Sequence, residues 1–112
     1  MKYYYDLFLS EKYETSKEDF LDNLKRNSFP IDQYLVVLLK SEKNQLEIFN
    51  SVLLKQEYFN RDELLVVGIA RGLDDAYTIV EKISQEVYNV TGDADIKSYL
   101  WDKQKEYEEG NR

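Results

Sequence analysis

The sequence predicts an α/β protein built on a small three-stranded, mainly parallel sheet with helices on both faces. Two continuous apolar runs, at residues 34–39 and 64–70, are typical of strands that are covered on both faces. The second run leads through Gly72 into a long amphipathic segment, which is the order of a strand–turn–helix unit. A third strand is predicted at residues 2–9.

Length and composition predict one domain covering residues 1–112. The hydrophobic fraction of 43%, with 14% aromatic residues, is enough for a packed core and excludes large-scale disorder. No apolar run approaches the ~20 residues that a membrane span requires. The first residues lack the apolar core of a signal peptide, and the absence of cysteine gives no indication of an oxidising compartment. We therefore expect a cytoplasmic protein without a membrane partner.

Two missing residue types narrow the chemistry. The chain has no histidine and no cysteine, which excludes the common zinc sites and every Ser–His or Cys–His nucleophile. The net charge of −7 disfavours direct binding to nucleic-acid phosphates. We expect no cofactor, no metal and no catalytic residues, so an enzyme is the least favoured class of protein.

The first strand is predicted at residues 2–9, at an edge of the sheet. Its side chains alternate with a period of two, and Asp6 interrupts one of the two faces. A short helix is predicted next, because Thr15 and Glu18 have capping-box spacing ahead of an apolar stripe. We expect this helix to end near Asn27, before Pro30.

The segment after the strand at residues 34–39 fits two patterns. Apolar residues between Asn44 and Phe59 fall at helical spacing, and Ser41 is available as a cap. Residues 46–49 also alternate weakly after a polar turn, which is typical of a hairpin. The helical pattern covers more apolar positions, so a helix is preferred. The hairpin alternative stays open and would give a ferredoxin-like α+β fold.

Two helices are predicted after the strand at residues 64–70. The first is capped by Asp74 or Asp75 and ends at residues 91–92, with apolar residues at three- and four-residue steps. The second begins at Asp95. Three glutamates near its C-terminal end oppose the helix dipole, so we expect the tail, about residues 106–112, to fray.

Edge strands and aromatic content point to association. A three-stranded sheet has two edges, and the chain carries ten tyrosines together with Trp101. We expect a protein partner or self-association, with a homodimer as one possibility. The alternative is a monomer in which the C-terminal helix covers the exposed edge.

A candidate ligand site lies where the strands end, because ligands of open α/β sheets gather beyond the carboxyl ends of the strands. The three loops that follow the predicted strands carry five polar residues, namely Ser10, Lys12, Lys40, Asn44 and Arg71. Together these residues predict a rim for a small anion or nucleotide, with Arg71 as its charged anchor.

Two observations oppose this rim. The spacing of Gly68 and Gly72 is not that of a phosphate-binding fingerprint. In addition, Asp74 and Asp75 occupy the helix N-terminus where a phosphate would bind. A salt bridge from Arg71 to one of these aspartates is the preferred interpretation.

Three short segments resemble a known set of proteins: residues 44–48, residues 66–72, and the pair Asp75–Ala76. They are similar to small accessory proteins of Gram-positive bacterial mobile elements, and the resemblance covers about residues 3 to 100. It implies a strand–helix–strand–helix order and a bacterial cytoplasmic setting. It carries over no biochemical activity and no catalytic residues.

Three functional hypotheses follow. The first is a non-catalytic accessory or interaction protein that acts through a tyrosine-rich surface. The second is a small anionic-ligand or nucleotide binder at the rim. The third is an acidic decoy that blocks a nucleic-acid-binding protein, and it requires carboxylates in rows over one face.

Overall fold

A four-stranded mixed sheet, in the order β1-β4-β2-β3, crosses the middle of the computed structural model. The structure describes residues 1–13, 16–39, 46–55 and 64–110. The strands are β1 (Lys2–Leu9), β2 (Gln33–Leu39), β3 (Glu47–Asn50) and β4 (Leu64–Arg71). The helices are α1 (Lys17–Lys25), α2 (Leu73–Thr91) and α3 (Ile96–Gly110), with a 3-10 helix at Ser51–Lys55.

The mixed α/β class is confirmed, but the expected three-stranded, mainly parallel sheet is wrong. Only β1 and β4 are parallel, whereas β2 runs antiparallel to both β4 and β3. The parallel pair also distinguishes this sheet from the all-antiparallel sheet of the ferredoxin-like alternative. A long apolar run indicates that a strand is covered on both faces. It does not indicate the direction of the strand, because helices can cover parallel and antiparallel strands alike.

The expected positions of three strands are confirmed. β1 lies at one edge of the sheet, and β2 and β4 are its central strands. Every residue of β4 up to Ala70 is buried. This burial explains why alternation is missing from the central runs and present in β1.

The segment after β2 forms a hairpin, so the helix preferred from residue 44 to 59 is wrong where the structure describes it. β3 pairs antiparallel with β2, with Val36 opposite Ile48. The side chain of Asn50 then ends the strand, since its Nδ2 donates to the Ile31 carbonyl at 2.6 Å and its Oδ1 accepts from the Val52 amide at 2.9 Å. Residues 44–45 and 56–59 lie outside the described residues.

Two apolar cores fill the two faces of the sheet. The first joins the sheet to α2 and α3, and its helical members include Ile79, Ile83 and Leu100. The second joins the other face to α1 and the 3-10 helix through Phe20 and Leu54. Helices therefore cover both faces, as expected from the sequence.

Gly68 lets α2 approach β4 closely. A Cβ atom at this position would lie 2.8 Å from Cγ2 of Ile79 and 3.2 Å from the carbonyl oxygen of Phe8. These distances are shorter than van der Waals contact, so a larger residue would push α2 away from the sheet.

The cap of α1 lies next to its expected position. The Ser16 side chain accepts from the Asp19 amide at 3.1 Å, while Thr15 lies outside the described residues. The expected start of α3 at Asp95 is confirmed, since the helix begins at Ile96 and the Asp95 Oδ1 atom accepts from the Ser98 amide at 3.2 Å. The pKa of the Asp95 carboxyl is lowered, mainly by the hydrogen bonds that it accepts from Ser98.

The predicted aspartate cap of α2 is wrong, because the N-cap residue is Gly72 and no side chain caps it. Gly72 has φ 85° and ψ 156°, a conformation that is essentially reserved for glycine. Asp75 instead reaches back along the chain, and its Oδ2 accepts from the Arg71 amide at 3.0 Å. The aspartate thus holds the turn that precedes the helix.

Helix α3 lies against β1. The rings of Tyr5 and Tyr107 stack with centroids 4.7 Å apart, and Lys2 pairs with Glu108 at 3.2 Å. This packing matches the alternative in which the C-terminal helix covers the edge strand. Three expectations stay predictions. They are that the tail frays, that the chain is a single domain, and that it associates with itself or with another protein. No helix among the described residues combines the length and apolarity needed to cross a membrane.

Candidate functional site

Part of the predicted rim assembles at one end of the sheet. Because β1 and β4 are parallel, the chain leaves both strands at the same end. Lys12 and Arg71 line a cleft of about 530 Å³ there, between the loop after β1 and the start of α2. Ser10 lies in the same loop, where its hydroxyl accepts from the Tyr13 amide at 3.0 Å.

The expected contribution of β2 to this rim is wrong. β2 ends at Leu39, which pairs with Leu64 at the start of β4, whereas Arg71 pairs with Gln33 at the other end. The loops that follow the three predicted strands would meet at one end of the sheet only if β2 were parallel to β4, but the two strands are antiparallel. Lys40 and Asn44 themselves lie outside the described residues.

Arg71 is held by an aspartate that is distant in the sequence. Its Nε and Nη2 donate to Asp32 Oδ2 at 3.0 and 2.6 Å, so the expected salt bridge to Asp74 or Asp75 is wrong. The carbonyl of Asp32 also accepts from the Gly72 amide at 2.6 Å. The antiparallel register of β2 and β4 brings these residues together, and no local sequence pattern indicates it.

Charges of both signs line the cleft. Its charged residues are Glu11, Lys12, Arg71, Asp74, Asp75 and Lys82. Glu11 and Lys82 pair with each other, and Arg71 is paired with Asp32. The carboxylates balance the cations in number, so the cleft offers no clear excess of positive charge to an anion.

A second, smaller pocket lies between α1 and the ends of β2 and β4. We call it the Gln33 pocket. It has a volume of about 210 Å³ and is lined by Ser16, Asp19, Asn23, Arg26, Pro30, Gln33 and Arg71. Sequence reasoning missed it. The available signal was a glutamine at an inward position just ahead of the apolar run of β2.

Gln33 is the unusual member of this pocket, because its side chain is buried and incompletely bonded. It is only 6% exposed, and its Oε1 has no hydrogen-bond partner among the described residues. Buried polar atoms are normally paired, with protein groups or with ordered water. The Gln33 side chain therefore keeps a buried acceptor that no described donor satisfies.

One side of α2 carries exposed apolar side chains, which we call the α2 flank: Leu73, Tyr77 and Tyr88. They are 43%, 54% and 61% exposed. Steps of four and eleven residues place them on one side of an α-helix, since each turn takes about 3.6 residues. Glu86, which binds the Tyr99 hydroxyl of α3 at 3.0 Å, lies on the opposite side of α2. The α2 flank therefore faces away from α3.

The junction of α2 and α3 perturbs one tyrosine. Burial raises the pKa of Tyr99 to about 12, and the hydrogen bond to the Glu86 carboxylate adds to this effect. Such a phenol stays protonated and acts as a structural donor. It gives no indication of acid–base catalysis at neutral pH.

Neither metal chemistry nor similarity to other proteins supplies a function. The described ranges contain no group of three or more acidic side chains positioned to hold a metal ion. Comparison with protein-family models, with curated proteins and with solved structures gives no match. Function is therefore inferred from the surfaces of the molecule itself.

Proposed function

We propose that this chain is a non-catalytic accessory protein that binds a partner protein through the α2 flank. The observation that carries the proposal is the exposure of Tyr77 and Tyr88, 54% and 61%, on one side of a well-packed helix. Tyrosine is enriched at protein interfaces because its large ring buries apolar area while its hydroxyl tolerates water. The Gram-positive bacterial and cytoplasmic setting is part of the proposal and comes from the sequence resemblance.

Charge indicates what kind of partner the flank suits. Asp74 and Glu81 are exposed, and helical spacing places them beside Tyr77 on α2. The whole chain has a net charge of −7. We therefore expect a partner surface with an apolar centre and a rim of lysine and arginine, whose binding weakens as salt is added.

The test compares two variants of the intact protein. The double variant Y77A/Y88A removes both rings from the flank, and Y13A removes an exposed ring outside it. Proteins captured from a Gram-positive host are identified, and each is then purified and titrated against all three forms. We expect the double variant to weaken binding by roughly a hundredfold, because two central aromatic residues commonly contribute over 1 kcal/mol each.

The titration gives clear contrary outcomes. Equal affinity of the double variant and the Y13A control would overturn the assignment of the flank. If the wild-type chain forms a dimer and the double variant does not, the partner that binds the flank is a second copy of this chain and not another protein. Sedimentation of the purified chain measures that outcome directly.

A second candidate function is the binding of a small anion or nucleotide at the rim. The observation in its favour is that Ser10, Lys12 and Arg71 belong to the same end of the sheet, beside a cleft. If it is correct, R71A should abolish the thermal shift produced by inorganic phosphate or a nucleotide, whereas K25A should retain it. A shift that survives in R71A would exclude this site.

The acidic decoy has no observation in its favour. It requires rows of carboxylates on one face, but exposed carboxylates occur on β1, α1, β3, α2 and α3, for example at Asp6, Asp22, Glu47, Glu81 and Glu106. Such a distribution suits a solvated surface.

A further inference from the structure

The α2 flank borders the part of the sheet that lies farthest from α3. Lys82, on the other side of α2, pairs with Glu11 of the loop that follows β1. Glu86 on that same side binds Tyr99 of α3, which lies against β1. Because the strand order is β1-β4-β2-β3 and α2 packs on β4, the α2 flank faces β2 and β3.

Apolar side chains of β2 and β3 lie beside the flank on this face of the sheet. Tyr34 and Ile48 pack against the same core as Val80 of α2, and all three are only partly buried. Val36 of β2, directly opposite Ile48, is fully buried. Burial on this face therefore decreases from β2 to β3, and apolar side chains remain accessible next to the flank.

The dimensions of this surface suit an α-helix. Neighbouring strands lie about 4.8 Å apart, so β3 is about 10 Å from β4, on which α2 packs. Helices that pack side by side lie about 8–10 Å apart. A helix beside α2 would therefore lie over β3 and contact the flank along its side. The flank runs for about 22 Å from Leu73 to Tyr88, which is about four helical turns.

Two carboxylates indicate the charge of the occupant. Asp74 and Glu81 are exposed and lie about two helical turns apart, next to Tyr77. A second copy of this chain, bound about a two-fold axis, would bring its own Asp74 and Glu81 to the same interface. Like charges oppose such a contact, whereas lysine and arginine side chains would favour it.

We propose that the groove between the α2 flank and β3 binds one basic amphipathic α-helix of a partner protein. This inference rests on the proposed function and adds the shape and chemistry of the segment that binds. The apolar side of that helix contacts Tyr77, Tyr88 and Ile48. Lysine or arginine residues along one edge of it pair with Asp74 and Glu81.

The test titrates the full chain with three designed peptides of about 15 residues, which matches the length of the flank. The first peptide has leucine at helical spacing and lysine elsewhere. The second has the same composition in strand alternation, and the third has glutamate in place of lysine. We expect saturable binding of the first alone, with a gain of helical circular dichroism. Y77A/Y88A should weaken this binding by at least about tenfold, because it removes two aromatic anchors.

Two substitutions on β3 distinguish the groove from a general effect of charge. I48K places a charged side chain in the groove and should abolish binding of the basic helical peptide. E47K is the control, since successive strand residues point to opposite faces, and it should retain most of the binding although it changes the net charge more. Thermal unfolding of both variants shows that the sheet is intact.

A charge reversal on exposed residues tests the groove without altering the core. D74K/E81K should bind the acidic helical peptide in preference to the basic one. D102K/E106K reverses two exposed carboxylates of α3 and should keep the wild-type preference.

Three results would overturn the inference: no saturable binding of the basic helical peptide, equal binding of the strand-patterned peptide, or an unchanged charge preference in D74K/E81K. The captured partner separates this inference from the proposed function. If Y77A/Y88A weakens binding of that partner and a folded I48K does not, the flank is a binding surface but the helix in the groove is wrong. If neither variant weakens it, both proposals are wrong.

Discussion

Gln104 of α3 bonds to the backbone of β1 at Tyr5, as a neighbouring strand would. Its Oε1 accepts from the Tyr5 amide at 2.8 Å, and its Nε2 donates to the Tyr3 carbonyl at 3.3 Å. The side chain is only 5% exposed. Open strand edges invite pairing with other chains, and here one buried amide satisfies part of that edge.

Replacing Gln104 by leucine should therefore destabilise the protein. The change removes the two hydrogen bonds that the buried Gln104 amide makes to the backbone of β1, and we expect a loss of about 2 kcal/mol in the free energy of unfolding. Urea denaturation measures this loss, and hydrogen exchange should show faster exchange of the Tyr5 amide. Q85L, on the exposed side of α2, is the control and should change stability little. Unchanged protection of Tyr5 in Q104L would contradict the assigned role.

Gly68→Ala should destabilise the contact between β4 and α2. The added Cβ would lie 2.8 Å from Ile79 Cγ2, and overpacking of this kind costs about 1–3 kcal/mol. Because Ile79→Ala removes the obstructing atom, the double variant should lose less stability than the sum of the two single variants. Gly110→Ala is the control, since a Cβ there meets nothing within 4 Å. Strict additivity of the two core substitutions would contradict the close contact.

Gly72 and Gly92 should respond differently to asparagine. Gly92 has φ 69° and ψ 15°, a left-handed conformation that asparagine adopts readily. Gly72 has φ 85° and ψ 156°, which side-chain-bearing residues adopt only at a cost of about 1–3 kcal/mol. Thermal unfolding should therefore show a clear loss for G72N and a small one for G92N. Similar melting temperatures for the two variants would contradict the assigned turn geometry.

Stability should fall at alkaline pH. The pKa of Tyr99 is raised from 10.0 to about 12, first by burial and then by the hydrogen bond to Glu86. Because the folded state favours the protonated phenol, its contribution is complete below pH 10 and is lost as the pH rises from 10 to 12. Burial also raises the pKa of Tyr4, which acts in the same direction.

The variant Y99F isolates this contribution. It should flatten the loss of unfolding free energy between pH 10 and pH 12, whereas Y88F on the exposed flank should follow the wild-type curve. Denaturant titrations across this range, paired with ultraviolet difference spectra of tyrosine ionisation, provide the measurement. Identical curves for Y99F and the wild type would contradict the raised pKa of Tyr99.

The sequence predicts local elements here far better than the relations between them. Residues 2–9 alternate and form an edge strand, and most of the predicted apolar stripe of α2 is buried, although Val90 at its end is 65% exposed. The direction of a strand leaves no pattern in its own sequence. A mainly parallel sheet was therefore expected, whereas β2 is antiparallel to β4. The partnership of Arg71 with Asp32 depends on that orientation and joins residues 39 positions apart.

β3 shows the limit of periodicity in a short segment. Four strand residues followed by a five-residue 3-10 helix place apolar side chains at the spacing of one continuous helix. Asn50 divides the two elements through bonds made by its side chain. The Gln33 pocket escaped prediction for a related reason, since Arg26 and Gln33 become neighbours only when α1 packs on the sheet.

The position of β4 in the sheet also sets the order in which the chain can assemble. β4 is the last strand along the sequence, yet both β1 and β2 pair with it, and Lys2 meets Leu65. Contacts over such separations slow folding. Among the described strand pairs, β2 with β3 is the one that can form before β4 has left the ribosome, and β1 must wait for β4. Stalled nascent chains ending before residue 64 should therefore leave the β1 amides unprotected in hydrogen exchange.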